Sequence, residues 1–340
     1  MTAYRASEVD AGAALHWAQK LVTPAMNAAL DTLPGDIRLV AGYHVGWLDR
    51  AGGLAAADQG GKAIRPALAL LSSGATGGTA EAAIPAAVAV ELVHNFSLLH
   101  DDVMDRDQLR RHRPTAWTVF GNAQTILAGD ALLALATRTL AGSGPAVDHL
   151  GRAVVELCHG QSQDMAFESR ADVSLEECLA MAGRKIGSLL GAACGLGGLL
   201  GGGTPQDIAR LTGFGLHLGL AFQLVDDLLG IWGDPAFTGK PVRSDLHSRK
   251  RSLPVVAALT SPCAAAAKLA ELYRRDEPMA EGDARRAADL VEESGGRAWA
   301  QDRARQERDL ALRDLERIEP VGRDLGSLRA LAEHLIDRHY

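Results

Sequence analysis

The sequence of 340 residues has little of what several protein classes need. Aromatic residues make up only 4% of it, and no segment alternates as a half-buried strand does, so a β-rich fold is disfavoured. Asp and Glu (42) outnumber Lys and Arg (35), which gives a net charge of −7. A nucleic-acid-binding protein is expected to carry a basic surface instead, so we predict no nucleic-acid partner.

The sequence also has few signs of secretion or of a membrane. Its N-terminus lacks the basic start and apolar run of a signal peptide, which predicts a cytoplasmic protein. Residues 186–203 carry no charge, but this stretch is Gly-rich and leads into Thr204 and Pro205, so we interpret it as a helix end, a turn and the next helix cap. We predict no membrane span. The cysteines show no CxxC pair and are predicted to be reduced, buried thiols. They are Cys158, Cys178, Cys194 and Cys263.

Helical periodicity runs along almost the whole chain, and the abundant Ala and Leu favour helices. We predict one all-α domain over residues 1–340, in which amphipathic helices surround buried ones. Residues 34–61 are predicted to be irregular, and residues 106–114 and 233–250 to be loops. The predicted helices cover residues 9–33, 62–73, 81–105, 115–140, 145–169, 174–194 and 205–232, followed by shorter ones from residue 252 with breaks near Pro262, Pro278, Gly295 and Pro320.

Two apolar helical runs end in acids. In the first, HDDVMD, Asp101 and Asp105 are four residues apart on one helix face, with Asp102 beside them. The second, FQLVDDLLG, carries Asp226 and Asp227. Acids at a helix C-terminus are unfavourable with the helix dipole, so a solvated helix end explains them poorly. Because Mg²⁺ prefers carboxylate oxygens and usually shares its shell with substrate phosphates, the clusters predict a magnesium-dependent polyphosphate site.

Basic residues accompany both acidic clusters. Guanidinium groups bind phosphate oxygens in bidentate fashion, and lysine acts as a point charge. We interpret these residues as diphosphate ligands, with a solvated surface as the alternative for Arg184 and Arg251. The candidates are Lys62, Arg65, Arg110, Arg111, Arg184, Lys185, Lys240, Lys250 and Arg251.

These motifs together resemble the trans-type polyprenyl diphosphate synthases, also called E-isoprenyl diphosphate synthases. The resemblance covers nearly the whole chain, through GGKAIRP, HNFSLLHDDVMDRDQLRRHRPT, GQSQD, RKIGSLLGA, FQLVDDLLG and GKPVRSDL. It implies an isoprenoid-synthase-type helical bundle around a central cavity, usually a homodimer. It also implies isopentenyl diphosphate and an allylic diphosphate as substrates, with three Mg²⁺ per site when substrate is bound.

The resemblance carries roles onto individual residues. It implies that Asp101, Asp102 and Asp105 form a first magnesium motif, and Asp226 and Asp227 a second. The residues implied to hold the allylic diphosphate are Arg110, Lys185, Lys240 and Lys250. Those implied to hold isopentenyl diphosphate are Lys62, Arg65, His94 and Arg111. Gln161, Asp164 and Gln223 match polar residues near the site.

Chain length is predicted from position on the first acidic helix. Residues four and five before Asp101 lie about 6–7.5 Å further along the helix, at 1.5 Å per residue. These are Ser97, which is small, and Phe96, which is large enough to limit the growing product. An aromatic at the fifth position before an uninserted motif resembles C20 synthases, so geranylgeranyl diphosphate is favoured over the C15 product.

The chain departs from the family pattern in its second half. Gly230 stands where the family usually has a third acid, with Asp234 as a partial replacement, and Arg243 and Arg249 stand where glycines are usual. The added arginines are either phosphate ligands or loop surface. Two other functions remain alternatives: a class I terpene cyclase, which does not need the isopentenyl pocket, and a non-catalytic partner subunit, which typically loses the first motif.

Overall fold

The computed structural model describes residues 10–55, 61–111, 113–170, 172–235, 242–275, 279–318 and 324–336. The described part is almost entirely helical, as predicted. Its helices are α1 Ala11–Leu30, α2 Gly35–Val45, α3 Ile64–Ala75, α4 Ile84–Met104, α5 Ala116–Phe120, α6 Asn122–Thr139, α7 Gly144–Ser169, α8 Leu175–Ala182, α9 Ser188–Leu200, α10 Pro205–Trp232, α11 Ser244–His247, α12 Leu253–Leu259, α13 Ala264–Tyr273, α14 Glu281–Glu293, α15 Gly296–Glu316 and α16 Leu325–Ile336.

Contacts group the chain into two compact units. The first unit comprises Met1–Val154, Ala192–Thr212 and Ile318–Leu331, and the second comprises Val155–Gly191, Gly213–Arg317 and Ala332–Tyr340. Four of the five boundaries fall inside helices, namely α7, α9, α10 and α16, and the fifth follows α15. The single domain stays a prediction.

The first unit is organised around α4, which packs mainly on α6 and α3. Residues 86–90 of α4 are buried on every side, and all five are Ala or Val. Small side chains let neighbouring helices approach closely, and the apolar run supplies the burial that stabilises a central helix. The first acidic motif therefore ends a helix that is fixed by its surroundings.

Several parts of the predicted secondary structure were wrong. The predicted loop 233–250 contains the short helix α11. Residues 34–61 contain α2, which starts after Pro34 and ends at Gly46 with φ +95°, the usual proline start and left-handed glycine stop. The predicted helix 115–140 is two helices, because Gly121 adopts φ +83°. The predicted loop 106–114 contains a small hairpin that pairs Leu109–Arg110 with Arg113–Pro114.

The uncharged stretch 186–203 is helical as far as Leu200 and then turns at its last glycines. The helix runs further than predicted, and Thr204 caps α10 as expected, accepting a hydrogen bond from the backbone N–H of Asp207. Two other helical stretches, Glu81–Met104 and Pro205–Trp232, have the length and hydropathy of membrane spans. Because 67% and 56% of their most apolar windows are buried in the protein, they are weak candidates.

The cysteines correct a prediction. Cys178 and Cys194 are buried, and burial raises the pKa of their thiols to about 11 and about 12. Cys158 and Cys263 are exposed, however, so only half of the thiols are buried. Cys263 precedes α13 and accepts a hydrogen bond from the backbone N–H of Ala266, which explains its position at the surface.

Candidate active site

The first acidic motif lies at the C-terminal end of α4, in the first unit. Asp101 is half-buried, Asp105 is exposed as the helix cap, and Asp102 is only 1% exposed. Arg110, on the following hairpin, holds one oxygen of Asp102 through Nε at 2.8 Å and Nη2 at 2.7 Å. Burial raises the pKa of Asp102 more than Arg110 lowers it. Asp102 thus orients Arg110, and magnesium binding by Asp102 would be limited to its other, buried oxygen.

A cluster of cationic side chains lies beside this motif in the first unit. Arg65, Arg111 and His94, predicted from the sequence as isopentenyl diphosphate ligands, are close enough to influence one another electrostatically. Burial and then the neighbouring arginines lower the pKa of His94 well below its usual value. Burial also lowers the pKa of both Arg65 and Arg111, although they stay charged. The cluster therefore combines fixed positive charge with a neutral imidazole.

Two residues of this cluster were missed in the sequence. His44, near the end of α2, has its pKa lowered to about 3 by burial and by Arg110, Arg111 and Arg113. Glu91 on α4 is the acid among these cations: burial raises its pKa, while Arg65 and Arg111 lower it. The proline and glycine that bound α2 could have revealed His44. Glu91 precedes His94 by three residues and so lies on the same helix face. This spacing in the sequence could have identified Glu91 as a member of the cluster.

Two residues adopt left-handed backbone conformations here, one beside the cluster and one that belongs to it. Ala63, which follows Lys62, has φ +52°, and Arg111 has φ +51°. Residues other than glycine rarely adopt these backbone angles, and those that do concentrate at functional sites. Lys62 itself is exposed, in contrast to the half-buried Arg65. The backbone therefore places Lys62 at the surface and Arg65 inward.

The proposed chain-length residues are both buried in α4. Phe96 is 7% exposed, and its ring packs edge-to-face on His100 with centroids 4.8 Å apart. His100 lies 3.0 Å, through Nε2, from the carbonyl of Ile126 on α6. Ser97 donates a hydrogen bond to the carbonyl of His94. Phe96 is therefore held against a neighbouring ring, whereas the short Ser97 side chain folds back on its own helix.

The second acidic motif lies near the C-terminal end of α10, in the second unit. Asp227 is 2% exposed, and both its oxygens accept hydrogen bonds. Oδ1 accepts from Gln223 at 2.8 Å and Lys250 at 3.0 Å, and Oδ2 accepts from the backbone N–H of Leu253 at 3.0 Å. Binding magnesium, as predicted for Asp227, would be limited to the one remaining acceptor position, on Oδ2. Asp226 is half-buried and more accessible.

A lysine–aspartate pair occupies the region where α7 meets a π-helical turn, Gly183–Gly187, in the second unit. Lys185 lies in that turn, with Nζ 2.5 Å from Asp164 of α7. Gly160 permits the approach, because a Cβ there would lie 2.5 Å from the backbone N of Lys185. The side-chain carbonyl of Gln161 is buried without a hydrogen-bond partner. π-Helical turns often mark functional positions, and this one aims a cation.

Arg243 and Arg249, the arginines at usual glycine positions, have φ +62° and +53°. Both keep the left-handed conformation that glycine adopts without strain. Arg243 binds Glu281 at 2.6 Å, and Arg249 donates to the carbonyl of Leu272 at 2.6 Å. In this structure the arginines therefore fasten the segment around α11 to its own unit. The carboxylate beside Gly230 belongs to Asp245, whereas Asp234 is exposed.

The candidate metal ligands do not form a closed cage. Within the residues that the structure describes, no group of three or more His, Cys, Asp or Glu side chains is arranged to hold a metal ion. One oxygen of Asp102 is buried without a hydrogen-bond partner. The carboxylates of the two acidic motifs suit Mg²⁺ that is bound by one or two carboxylates and whose coordination shell is completed by phosphates and water. Lys240, also predicted as a diphosphate ligand, lies outside the described residues.

Comparison with known proteins agrees with this arrangement. The model of the family described as polyprenyl synthetase matches residues 52–291. The chain is 44% identical over 329 residues to (2E,6E)-farnesyl diphosphate synthase of Mycobacterium tuberculosis, covering 94% of this chain and 91% of that protein. It is 46% identical over 286 residues to geranylgeranyl diphosphate synthase of the same species, covering 82% and 81%. The crystal structure of polyprenyl synthetase from Streptomyces coelicolor is similar, with a TM-score of 0.93, 48% identity and coverage of 96% and 100%. The chain therefore belongs to the polyprenyl synthetase family.

Proposed function

We propose that this protein is a trans-prenyltransferase that condenses isopentenyl diphosphate with an allylic diphosphate to give a short-chain trans-prenyl diphosphate. The observation that carries the proposal is the group of cations around His94, placed beside an intact first acidic motif in the same unit. Its relatives include proteins named farnesyl and geranylgeranyl diphosphate synthases, which supports the same reaction class.

In the first unit, Lys62, Arg65, Arg111 and His94 bind the diphosphate of isopentenyl diphosphate. The arginines bring fork-shaped donors, and burial makes their interaction with phosphate stronger than it would be in water. His94 is neutral because of its lowered pKa, so it donates a hydrogen bond without adding charge. Glu91 balances the arginines and keeps the pocket from being excessively positive.

The resemblance assigns the allylic diphosphate to Arg110 of the first unit and to Lys185 and Lys250 of the second, together with Lys240, which lies outside the described residues. Each of the first three has a carboxylate partner that fixes its position: Asp102, Asp164 and Asp227 respectively. Such fixed cations stabilise the charge that develops on the departing diphosphate as the allylic C–O bond breaks. They need little reorganisation during the reaction because the partners already orient them.

The carboxylates of Asp101, Asp105 and Asp226 suit magnesium best, since they are more accessible than those of Asp102 and Asp227. When bound with substrate, three Mg²⁺ would supply Lewis-acid stabilisation of the diphosphate leaving group. Buried apolar side chains of α4 exclude water from the allylic carbocation, which water would otherwise quench. The double bond of isopentenyl diphosphate attacks this cation, and a proton is then lost to the released diphosphate.

We further propose geranylgeranyl diphosphate, C20, as the main product, with C15 as the competing outcome. Phe96 supports a limited chain length because it is a large ring held in place by His100. The resemblance also leads us to propose a cytoplasmic homodimer, which light scattering and cell fractionation would test.

A class I terpene cyclase is the second candidate function, and the first unit argues against it. A cyclase has no use for an isopentenyl diphosphate pocket, yet four candidate ligands of that pocket are present here. Two incubations with Mg²⁺ test both functions, with products identified by mass. One contains isopentenyl diphosphate and dimethylallyl, geranyl or farnesyl diphosphate, and the other contains geranylgeranyl diphosphate alone. Elongated diphosphates support the synthase. Hydrocarbon formed from geranylgeranyl diphosphate alone would show a cyclase, and no product with any substrate would favour the non-catalytic subunit.

A further inference from the structure

The space beside Gly230 on α10 is filled by a carboxylate from a distant part of the chain. Gly230 comes one helical turn after Asp226, so a side chain there would point to the same face. A Cβ at Gly230 would lie 2.5 Å from Cγ and Oδ2 of Asp245 and 2.8 Å from its Oδ1. Real Cβ contacts of this kind do not occur, so the Asp245 carboxylate can take this position only because residue 230 is glycine.

Asp245 contacts Lys250 through both its backbone and its side chain. The backbone N–H of Lys250 donates to the Asp245 carbonyl at 2.8 Å, and Lys250 Nζ lies 3.4 Å from Oδ2. The same Nζ lies 3.0 Å from Asp227. Partial burial alone would lower the pKa of Lys250, but Asp227 and Asp245 raise it overall. Two carboxylates therefore fix an ammonium group that remains 45% exposed.

The segment that carries Asp245 and Lys250 is itself fastened at several points. Arg243 binds Glu281, and Arg249 donates to the Leu272 carbonyl. His247 contacts Glu281 through Nε2 at 3.0 Å. Because these anchors lie within α11 and on both sides of it, Asp245 reaches α10 from a fixed backbone. The Asp245 side chain is only 13% exposed, which strengthens its interaction with Lys250 relative to a surface pair.

We propose that Asp245 is a positioning residue for Lys250, and that Gly230 is the feature of α10 that admits it. The carboxylate beside position 230, one helical turn after Asp226, is thus that of Asp245 in the segment 242–250, and it contacts Lys250. This inference rests on the proposed function, because Lys250 is there a ligand of the allylic diphosphate. A merely structural Asp245 would affect folding but would not act through Lys250.

Five variants of the full chain test this: Asp245→Ala, Gly230→Ala, the double variant of both, Lys250→Ala, and Asp245→Ala combined with Lys250→Ala. Gly151→Ala is the matched control, since Gly151 is also inside a helix but has nothing within 4 Å of a Cβ. The first measurement is steady-state condensation with Mg²⁺, giving kcat and the KM values for both substrates. The second is the Kd for inorganic diphosphate with Mg²⁺, together with the thermal midpoint of each variant.

We expect Asp245→Ala and Gly230→Ala each to raise the allylic KM and the diphosphate Kd by about tenfold, the size of one charged hydrogen bond. The isopentenyl diphosphate KM should stay within about twofold, and Gly151→Ala should behave as the parent protein. The double variant should be no worse than either single one. Removing the Asp245 carboxylate also removes the group with which a Cβ at position 230 clashes, so the second substitution costs nothing further. The double variant also keeps the test valid if Gly230→Ala alone folds poorly.

Asp245→Ala should have no further effect in a Lys250→Ala background if it acts through Lys250. Additive losses there, or single variants with unchanged allylic KM and diphosphate Kd, would overturn the positioning role. If the parent protein binds diphosphate and the variants show this coupling, but the parent protein condenses nothing, the proposed function is overturned and the positioning role stands. A parent protein that binds no diphosphate would overturn both.

Discussion

Asp227→Asn should destabilise this protein strongly, because Asp227 is a buried structural anchor. Its Oδ1 accepts hydrogen bonds from Gln223 and Lys250, and its Oδ2 accepts from the backbone N–H of Leu253, the first residue of α12. An asparagine has one acceptor and one NH₂ donor. Whichever way its amide is turned, the NH₂ group faces another donor, and Lys250 loses one of its two carboxylate partners.

The size of the effect follows from this geometry. An unsatisfied buried N–H costs about 1–3 kcal/mol. The ion pair adds at most about 1 kcal/mol, because Lys250 is 45% exposed and keeps Asp245 as a partner. We therefore expect a total of about 1–4 kcal/mol. At about 2 °C per kcal/mol for a large chain, the thermal midpoint should fall by about 2–8 °C.

The assay combines thermal unfolding with a magnesium titration of activity. Asp226→Asn is the control, since Asp226 is half-buried and is proposed as a metal ligand. It should unfold near the parental temperature but need more Mg²⁺ for half-maximal rate. If Asp227→Asn instead keeps the parental midpoint and only shifts the magnesium requirement, Asp227 is a metal ligand and the anchoring role is refuted.

Three other predictions concern different parts of the molecule. Glu91→Gln should lower the thermal midpoint of the free protein, because Arg65 and Arg111 lose their carboxylate partner. It should also enlarge the increase in thermal midpoint that inorganic diphosphate causes, because the anion then supplies the missing negative charge. An unchanged increase in a thermal melt would contradict this. Phe96→Ala should lengthen the product and Phe96→Leu should do so less, as read by mass; an unchanged product from both means that Phe96 does not limit the chain. His217 pairs with buried Glu307 at 2.7 Å, and this contact raises the His217 pKa, so its stabilisation is complete below the unfolded pKa of about 6.5 and is lost as pH rises through the folded value. His217→Gln should therefore flatten the alkaline side of a plot of thermal midpoint against pH, and a parallel curve would argue against the pair.

Contacts between residues far apart in the sequence are the features of the fold and the site that could not be predicted from the sequence. The first motif was predictable because Asp101 and Asp105 are related by helix periodicity alone. Two partners of Asp227 were not, since Lys250 and Leu253 follow it by 23 and 26 residues and reach it only through folding. α2 was missed because its Gly-rich sequence weakens the periodic signal, although packing on α6 stabilises it.

The arginines at usual glycine positions illustrate the same limit. The sequence showed that Arg243 and Arg249 depart from the family pattern, but both a phosphate ligand and loop surface were compatible with it. The backbone kept its left-handed conformation at both positions, and the side chains found partners within their own unit. Their role depends on where Glu281 and the Leu272 carbonyl lie, which no local pattern reveals.

The sequence by itself determined the helical class, the family and the residue types of the two motifs, because these depend on local periodicity and short spacings. The tertiary structure decided which carboxylates are engaged by the protein and which histidine is neutral. Asp102 and Asp227 are held by cations and backbone, while Asp101 and Asp226 are more accessible. Those differences arise from burial and from contacts between distant residues, and both exist only once the helices have packed.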